Sequence, residues 1–267
     1  MKITNTLNKK ERNDITELNK LCKIERVPNF DPDIYINPDL PSFYLEYKDD
    51  ILIAFLSLFY VDTIEMEVIA AVHPSFRGQG YFIKLLNEAN EVIPSNSTIL
   101  YQVPSNYVDK DKLIKKGYTF HHGEEELINR TSADSKNVLN TLESKDIKVV
   151  AKIIADAFGG KPVEEIEFLE FLINQKNTLT LVLKKEDIVR GFIAISDSLY
   201  VNTSHVFAFC VDKDFRSKGY GKKMLCNLPS NINGYVLRVD YNNAPAKNLY
   251  KRSGFVHLSS TEYYTKS

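Results

Sequence analysis

Cysteine is scarce: the 267-residue chain has three, Cys22, Cys210 and Cys226. Odd in number, widely spaced and without metal-ligand spacing, they offer neither a disulfide framework nor a metal site, and they read as reduced thiols in a cytosolic chain. Cys210 sits inside an apolar run and is assigned to the core rather than to nucleophilic chemistry. Long apolar runs are missing as well. No 18-residue apolar segment occurs, and the opening Met-Lys-Ile-Thr-Asn-Thr has no apolar stretch of signal-peptide length, so a cytoplasmic location without a membrane partner is expected. Charge of one sign is not in excess. With 34 Lys and Arg against 35 Asp and Glu, the net charge of −1 leaves no general footprint for nucleic acid or anionic lipid. What is present is 43% apolar and 26% charged residues, a soluble globular composition, at a length that suits one large domain or two of ordinary size.

Basic character is local, and it concentrates after an apolar strand pattern of Val206, Phe207, Phe209 and Val211. A polar corner, Asp212 to Asp214, leads through Arg216, Ser217, Lys218, Gly219, Tyr220 and Gly221 into a helix carrying Lys222 and Lys223. Glycines at two-residue spacing let main-chain N–H groups approach a ligand without a Cβ in the way. A helix N-terminus offers unpaired donors and partial positive charge, so the corner suits an anion, most naturally phosphate. A nucleotide-binding fold built on the same glycines would need a Lys-Ser/Thr pair or a ribose-binding acid in register, and neither is there. One strand later, after Val236–Tyr241, the chain reads Asn243-Ala-Pro-Ala246-Lys-Asn-Leu249-Tyr250-Lys-Arg-Ser-Gly254-Phe255.

The basic corner occurs twice. His73-Pro-Ser-Phe-Arg77-Gly-Gln-Gly80-Tyr-Phe82 precedes it by 139 positions, and Val72–Leu86 matches Val211–Leu225 at seven of fifteen residues. The hairpins upstream correspond too, Asp50-Ile51 through Phe55 with Asp187-Ile188 through Phe192. A repeat of this length means two copies of one domain. They are unequal: Phe82 stands where the second copy has Gly221, and the Asn-x-x-Ala element and the tyrosine have no counterpart near Leu113 and Gly117.

The remaining elements follow in order. Lys2–Thr6 reads as a strand and Lys10–Ile24 as a helix capped by Asn8. Proline-rich 27–45 reads as irregular, and 43–47 with 51–60 as a hairpin. A strand over 66–72 leads to the first corner, and a strand at 99–103 and a helix at 110–116 follow. Tyr118–Phe120 and Glu124–Asn129 are expected to form a closing hairpin with His121-His122-Gly123 at its tip, a solvated turn rather than a metal site. The second copy opens with a strand at 138–142 and a helix from an N-cap at Ser144 to Phe158. A second helix over 163–174 has Ile166, Leu169, Phe171 and Leu172 apolar and four glutamates on its other positions. A hairpin of 178–184 and 188–196 precedes the strand into the basic corner.

Arg-x-x-Gly-x-Gly after an apolar strand, followed by Asn-x-x-Ala-x-x-Leu-Tyr-x-x-x-Gly-Phe, resembles the two signatures of the GNAT superfamily of N-acetyltransferases. The resemblance covers both copies and is most specific over 206–255. It implies an α/β (α+β) protein of two tandem domains, each a mixed, mostly antiparallel sheet flanked by helices, with two central strands splayed apart. The boundaries expected are 1–130 for a degenerate domain, 131–137 for a linker and 138–267 for a catalytic domain.

The resemblance also implies acetyl-CoA as cofactor and direct attack of a small-molecule or peptide amine on its thioester. The main chain of Phe209, Cys210 and Val211 would pair with the pantetheine arm, with the Val211 N–H at the thioester carbonyl. Main-chain N–H groups from Ser217, Lys218, Gly219, Tyr220, Gly221 and Lys222 would take the pyrophosphate, with Arg216 shaping or charging the loop. Asn243, as N-cap, and Ala246 would lie beside the arm. Tyr250, with an ordinary pKa of about 10, would give a proton to the departing thiolate.

Many members of the family use a glutamate on the strand before the loop as base. Here 202–211 has none, and His205, of ordinary pKa about 6.5, stands near that place. Glu65 and Glu67 occur on the equivalent strand of the first copy. No metal is expected. A non-catalytic CoA-binding sensor or structural module is the alternative. By the resemblance to other two-domain members of the family, duplication within one chain mimics a dimer, and a monomer or weak homodimer is expected.

Overall fold

The computed structural model describes residues 1–22, 41–60, 65–108, 110–130, 138–197, 203–229 and 234–266. The proline-rich stretch up to residue 40 and the linker at 131–137 lie outside the described residues. The chain forms two compact units, Met1–Glu124 with Ser259–Ser267, and Glu125–Leu258.

The first half supplies β1 (Lys2–Thr4), α1 (Lys9–Cys22), β2 (Phe43–Lys48), β3 (Ile51–Tyr60), β4 (Glu65–Val72), α2 (Tyr81–Asn90), β5 (Thr98–Pro104), α3 (Lys110–Lys115) and β6 (Tyr118–Asn129). The second half supplies β7 (Asn140–Thr141), α4 (Ile147–Phe158), α5 (Pro162–Leu172), β8 (Thr178–Lys185), β9 (Ile188–Asp197), β10 (Ser204–Val211), α6 (Tyr220–Leu225), β11 (Tyr235–Asp240), α7 (Ala244–Arg252) and β12 (Val256–Lys266).

In the first unit the strands run β1-β2-β3-β4-β5-β12. All neighbours are antiparallel except β4 and β5. α1 starts where Asn8 and Glu11 bond reciprocally, each side chain accepting the other's N–H at 3.0 and 2.9 Å. This is a capping box, and it aims buried Ile15 and Leu18 at one face of the sheet. α2 buries Leu85, Leu86 and Ala89 against Tyr44, Leu56, Leu58 and Met66 on the other face.

In the second unit the order is β11-β10-β9-β8-β7, with β10 and β11 parallel and residues 125–129 of β6 beside β11. Its sheet has a core on each face. α6 and α7 bring Met224, Leu225 and Tyr250 onto Leu183, Ile193, Val206 and Leu237. α4 and α5 bring Val150, Ile154, Leu169 and Leu172 onto Val182, Phe192 and Cys210. Each large aliphatic side chain so removed from water contributes about 1.5–3 kcal/mol.

The repeat holds at the level of backbone angles. The β2–β3 turn puts Asp49 and Asp50 at φ 49° and 61°, and the β8–β9 turn puts Glu186 and Asp187 at 52° and 60°. Two successive left-handed residues match the twist of a two-residue hairpin, here made without glycine. Both hairpins also slip register just before the turn, between Glu46 and Tyr47 and between Leu183 and Lys184.

Three expectations need correction. The hairpin expected over 118–129 is one continuous strand, β6. Gly123 is buried within it rather than turning the chain. The His122 ring stacks on Tyr263 of β12 at 4.2 Å, and the Tyr263 hydroxyl donates to Glu124 at 2.6 Å, so the partner strand comes from the end of the chain. Ser144 opens a three-residue 3-10 turn, and α4 starts only after Asp146, whose carboxylate pairs with Lys184 at 2.7 Å. In α5, Phe171 points outward, 44% exposed, and one glutamate, Glu165, takes an inward position.

Candidate active site

β10 is the axis of the site. It pairs antiparallel with β9 throughout, but the register slips between Val206 and Ala208, which makes Phe207 the extra residue of a bulge. On its other edge it pairs with β11 only from Ser204 to Val206, against Tyr235 to Leu237. Past that point β10 continues to Val211 and β11 to Asp240 with no pairing between them. A bulge bends its strand and increases the local twist, so the two strands part where Phe207 is inserted.

The bulge also sets the faces. Val206, Phe209 and Val211 pack toward α6 and α7, whereas Phe207, Ala208 and Cys210 pack toward α4 and α5. Main-chain direction follows from one bond, the Asp212 N–H to the Arg190 carbonyl at 2.9 Å. Alternate residues of an antiparallel strand bond to the same neighbour. Asp212, Cys210 and Ala208 therefore face β9, and Phe209 and Val211 turn their N–H and C=O groups to the vacated edge. The Val211 carbonyl accepts from Arg216 Nε at 2.9 Å, so Arg216 shapes the loop.

Beyond β10 the chain makes a 3-10 turn, Lys213–Phe215, capped by Asp212, whose Oδ1 accepts the Asp214 N–H at 3.1 Å and whose Oδ2 pairs with Arg190. Phe215 lies under the Arg190 guanidinium at 4.0 Å and the Lys218 ammonium at 5.2 Å, and Tyr220 meets its ring edge-on. Lys218 also donates to the Asp214 carbonyl at 2.7 Å. Ser217 and Gly219 take left-handed angles, φ 59° and 84°, and Gly219 starts α6 with no capping side chain. Arg216 through Gly219 are exposed, as is Lys222. Gly221 has a different reason to be glycine: a Cβ there would stand 2.9 Å from Leu249 Cδ2 and 3.4 Å from Phe209 Cζ. It closes α6 onto α7 and β10.

α7 begins at Asn243, whose Oδ1 accepts the Ala246 N–H at 3.2 Å, and Ala246 packs half-buried on the core. The helix delivers Tyr250, 7% exposed, to within 6.2 Å of the Phe209 ring and 5.8 Å of Phe255, centroid to centroid. Burial pushes its phenol up to about 12, and Cys210 adds to the rise. Burial likewise pushes the Cys210 thiol to about 12, which leaves it protonated and inert. His205 shares a strand face with Phe207, 6.4 Å away ring to ring, and so lies on the α4/α5 face, opposite Tyr250. The two candidate catalytic residues do not share a face. Glu165, in an i, i+4, i+7 series with Leu169 and Leu172 on α5, is half-buried.

The first unit repeats the corner with fewer parts. Arg77 Nε donates to the Val72 carbonyl at 3.2 Å, and Gly78 and Gly80 are left-handed, φ 75° and 85°. β4 parts from β5 after Val68, but its register with β3 is unbroken, without a bulge. Phe82 packs with the α2 core, and the Glu67 carboxylate accepts from the Gln102 amide. Among the described residues no group of three or more His, Cys, Asp or Glu could hold a metal ion, and no helix is long and apolar enough to cross a membrane.

Residues 138–266 match the family model described as the acetyltransferase (GNAT) domain. No curated protein matches the chain. Among solved structures, the chain is similar to a GCN5-related N-acetyltransferase from Sphaerobacter thermophilus, at 15% identity and a TM-score of 0.71, over 95% of this chain and 91% of that one. A GNAT-family acetyltransferase from Colwellia psychrerythraea is similar over the whole of both chains, at 14% identity and a TM-score of 0.63. A tandem GNAT protein from the clavulanic acid biosynthesis pathway is similar over 99% of this chain and 97% of its own, at 12% identity and a TM-score of 0.63. These structures share the fold. Residues 138–266 therefore match a GNAT acetyltransferase domain, and the chain as a whole has the fold of GNAT structures, a tandem one among them.

Proposed function

We propose that the unit Glu125–Leu258 transfers an acetyl group from acetyl-CoA to an amine. The observation that carries this is the edge of β10 past Val206, unpaired with β11 at Phe209 and Val211, followed along the chain by the left-handed, uncapped start of α6. The residues fit the cofactor. An extended arm bearing amides can bond to such an edge as an added strand would, and a helix start without a capping side chain suits a pyrophosphate.

Acetyl-CoA supplies an activated acetyl group on its thioester. The main chain of Phe209 to Val211 orients the arm, and the N–H groups at 209 and 211 are the donors available to its thioester carbonyl. Main-chain N–H groups from Ser217 to Lys222 hold the pyrophosphate, and Lys218 is free to exchange its loop carbonyl for a phosphate. Asn243 and Ala246 fix α7 beside the arm, and Tyr250 gives the leaving sulfur its proton. Holding amine and thioester together supplies much of the acceleration. The first unit lacks the bulge, the Asn-x-x-Ala element and the tyrosine, and it is read as non-catalytic.

A binding role without catalysis draws on one observation, the absence of an acidic side chain along β10. Thiol release separates the two. Catalysis predicts that free thiol appears from acetyl-CoA at a rate saturable in an added amine, drawn from amino acids, polyamines, aminoglycosides and peptide amines. Tight acetyl-CoA binding with no thiol released by any of them would establish the binding role instead.

A further inference from the structure

β11 carries a charge where the sheet opens. Its residues paired with β10 are Tyr235 to Leu237, and the next residue along is Arg238. Tyr235, Leu237 and Val239 pack toward α6 and α7, so Arg238, alternating with them, turns to the α4/α5 face. Counted from the last pair, with the bulged Phe207 left out, it stands level with Ala208, whose short side chain packs on that same face. Leu237 and Val239 flank it in the chain, and no motif marks it in the sequence.

The guanidinium is only partly used. Leu127 of β6 packs with the α6/α7 core, which puts its neighbour Glu126, 6% exposed, on the side of Arg238. Arg238 Nε stands 3.5 Å from Glu126 Oε1, an ion pair but longer than a good hydrogen bond. That Nε is shut off from solvent and has no hydrogen-bond partner. Among the described residues the two Nη groups have neither an ion-pair nor a hydrogen-bond partner, yet the side chain is 30% exposed. A guanidinium presents its donors as a rigid fork that matches a carboxylate. Glu126 holds one side of the fork, and the other side is open where the strands part.

The first unit supplies a comparison inside the same chain. There the last pair of the corresponding strands is Val68 with Tyr101, and Gln102 is the next residue of β5. Gln102 donates to Glu67, the residue before Val68, and pairs across the sheet with Tyr263 of β12. The same two positions in the second unit hold His205, before Val206, and Arg238, after Leu237. An acid joined to an amide is thus replaced by a histidine and an arginine, so negative charge at the parting gives way to positive. Resting on the acetyl-transfer reading above, we propose that Arg238 sets the class of acceptor: its open Nη groups bind a carboxylate carried by the amine. The substrate is then an amino acid or short peptide with a free carboxylate, not a polyamine or an aminoglycoside. Glu126 fixes how the guanidinium is turned, and Arg238 supplies the docking charge. A polycation meets that charge as repulsion, so exclusion adds to recognition.

The test reads thiol release from acetyl-CoA with free amino acids and dipeptides, each set against its C-terminal amide, and with spermidine and kanamycin. Native protein should favour at least one free acid over its amide by about ten- to a hundredfold in kcat/KM. Which of the two sets contains that acid separates an amino acid from a peptide as the source of the carboxylate. Arg238→Lys keeps the charge and loses the fork; it should raise KM for the acid about tenfold, more than it lowers kcat. Arg238→Gln alone leaves Glu126 buried without its cation, which costs stability, so it is combined with Glu126→Gln. In that double variant acid and amide should be used equally. Calorimetry should give native acetyl-CoA affinity for both variants, which separates lost recognition from a lost fold. Equal use of acid and amide by native protein, a preference for spermidine or kanamycin, or an acid preference that survives in the double variant would overturn the proposal and leave acetyl transfer standing. No thiol release with any amine, or no acetyl-CoA binding, would remove acetyl transfer and the proposal with it.

Discussion

Tyr250 shows how much a single residue's surroundings decide. A phenol in water loses its proton at about 10, but between Phe209 and Phe255 burial raises it to about 12. It keeps its proton, and so its capacity to protonate a thiolate, well past the ordinary value. Tyr250→Phe should lower turnover about tenfold or more and leave acetyl-CoA affinity unchanged. Turnover of the native protein should show no alkaline loss near 10. A limb there that disappears in the Phe variant would mean the hydroxyl is not buried during the reaction. The tyrosine was legible because it falls at a fixed offset from Asn243 and Gly254. The half-burial of Glu165 was not, because four glutamates on one helix read as a solvated face, whereas Phe171 is the exposed residue and Glu165 is partly covered.

At the scale of elements, the loop from β10 to α6 was legible and the strand itself was only half so. Arg216 and Gly219 mark a strand–helix corner that needs a left-handed residue. The bulge at Phe207 leaves no trace in Val-Phe-Ala-Phe-Cys-Val, where every position is apolar and period two cannot assign faces. Gly221, read from the sequence as part of the anion loop, also lies where α6 meets α7, with no room for a Cβ beside Leu249. The two glycines therefore predict different defects. Gly219→Ala meets nothing within 4 Å and carries only the left-handed penalty, about 1–2 kcal/mol, together with weaker acetyl-CoA binding. Gly221→Ala makes the Leu249 side chain shift beside Phe209, at about 1–3 kcal/mol, and should depress turnover more than affinity. Denaturant unfolding and calorimetry on both variants check this; a Gly221→Ala protein with native turnover would contradict it.

At the scale of the whole molecule, duplication was visible in the sequence and the ownership of the last strand was not. The family match ends at residue 266, yet Ser259 onward packs in the first unit, where Thr261–Tyr264 pair with Tyr101–Pro104 and Tyr263 and Tyr264 are buried. Residues 125–129 of β6 are counted with the second unit in return. Strand pairing across more than a hundred residues has no local signature, because the side-chain pattern of β12 suits either sheet.

Of the two similar loops, only the second is proposed to bind acetyl-CoA. Both have the same backbone, with Gly80 at φ 85° and Gly219 at 84°, but only the second is joined to a bulged strand, a tyrosine and an Asn-capped helix. A calorimetric titration of the whole chain with acetyl-CoA tests this most directly. One site per chain is expected, abolished by Gly219→Trp and unaffected by Gly80→Trp. No binding, or a site lost in Gly80→Trp and kept in Gly219→Trp, would contradict it.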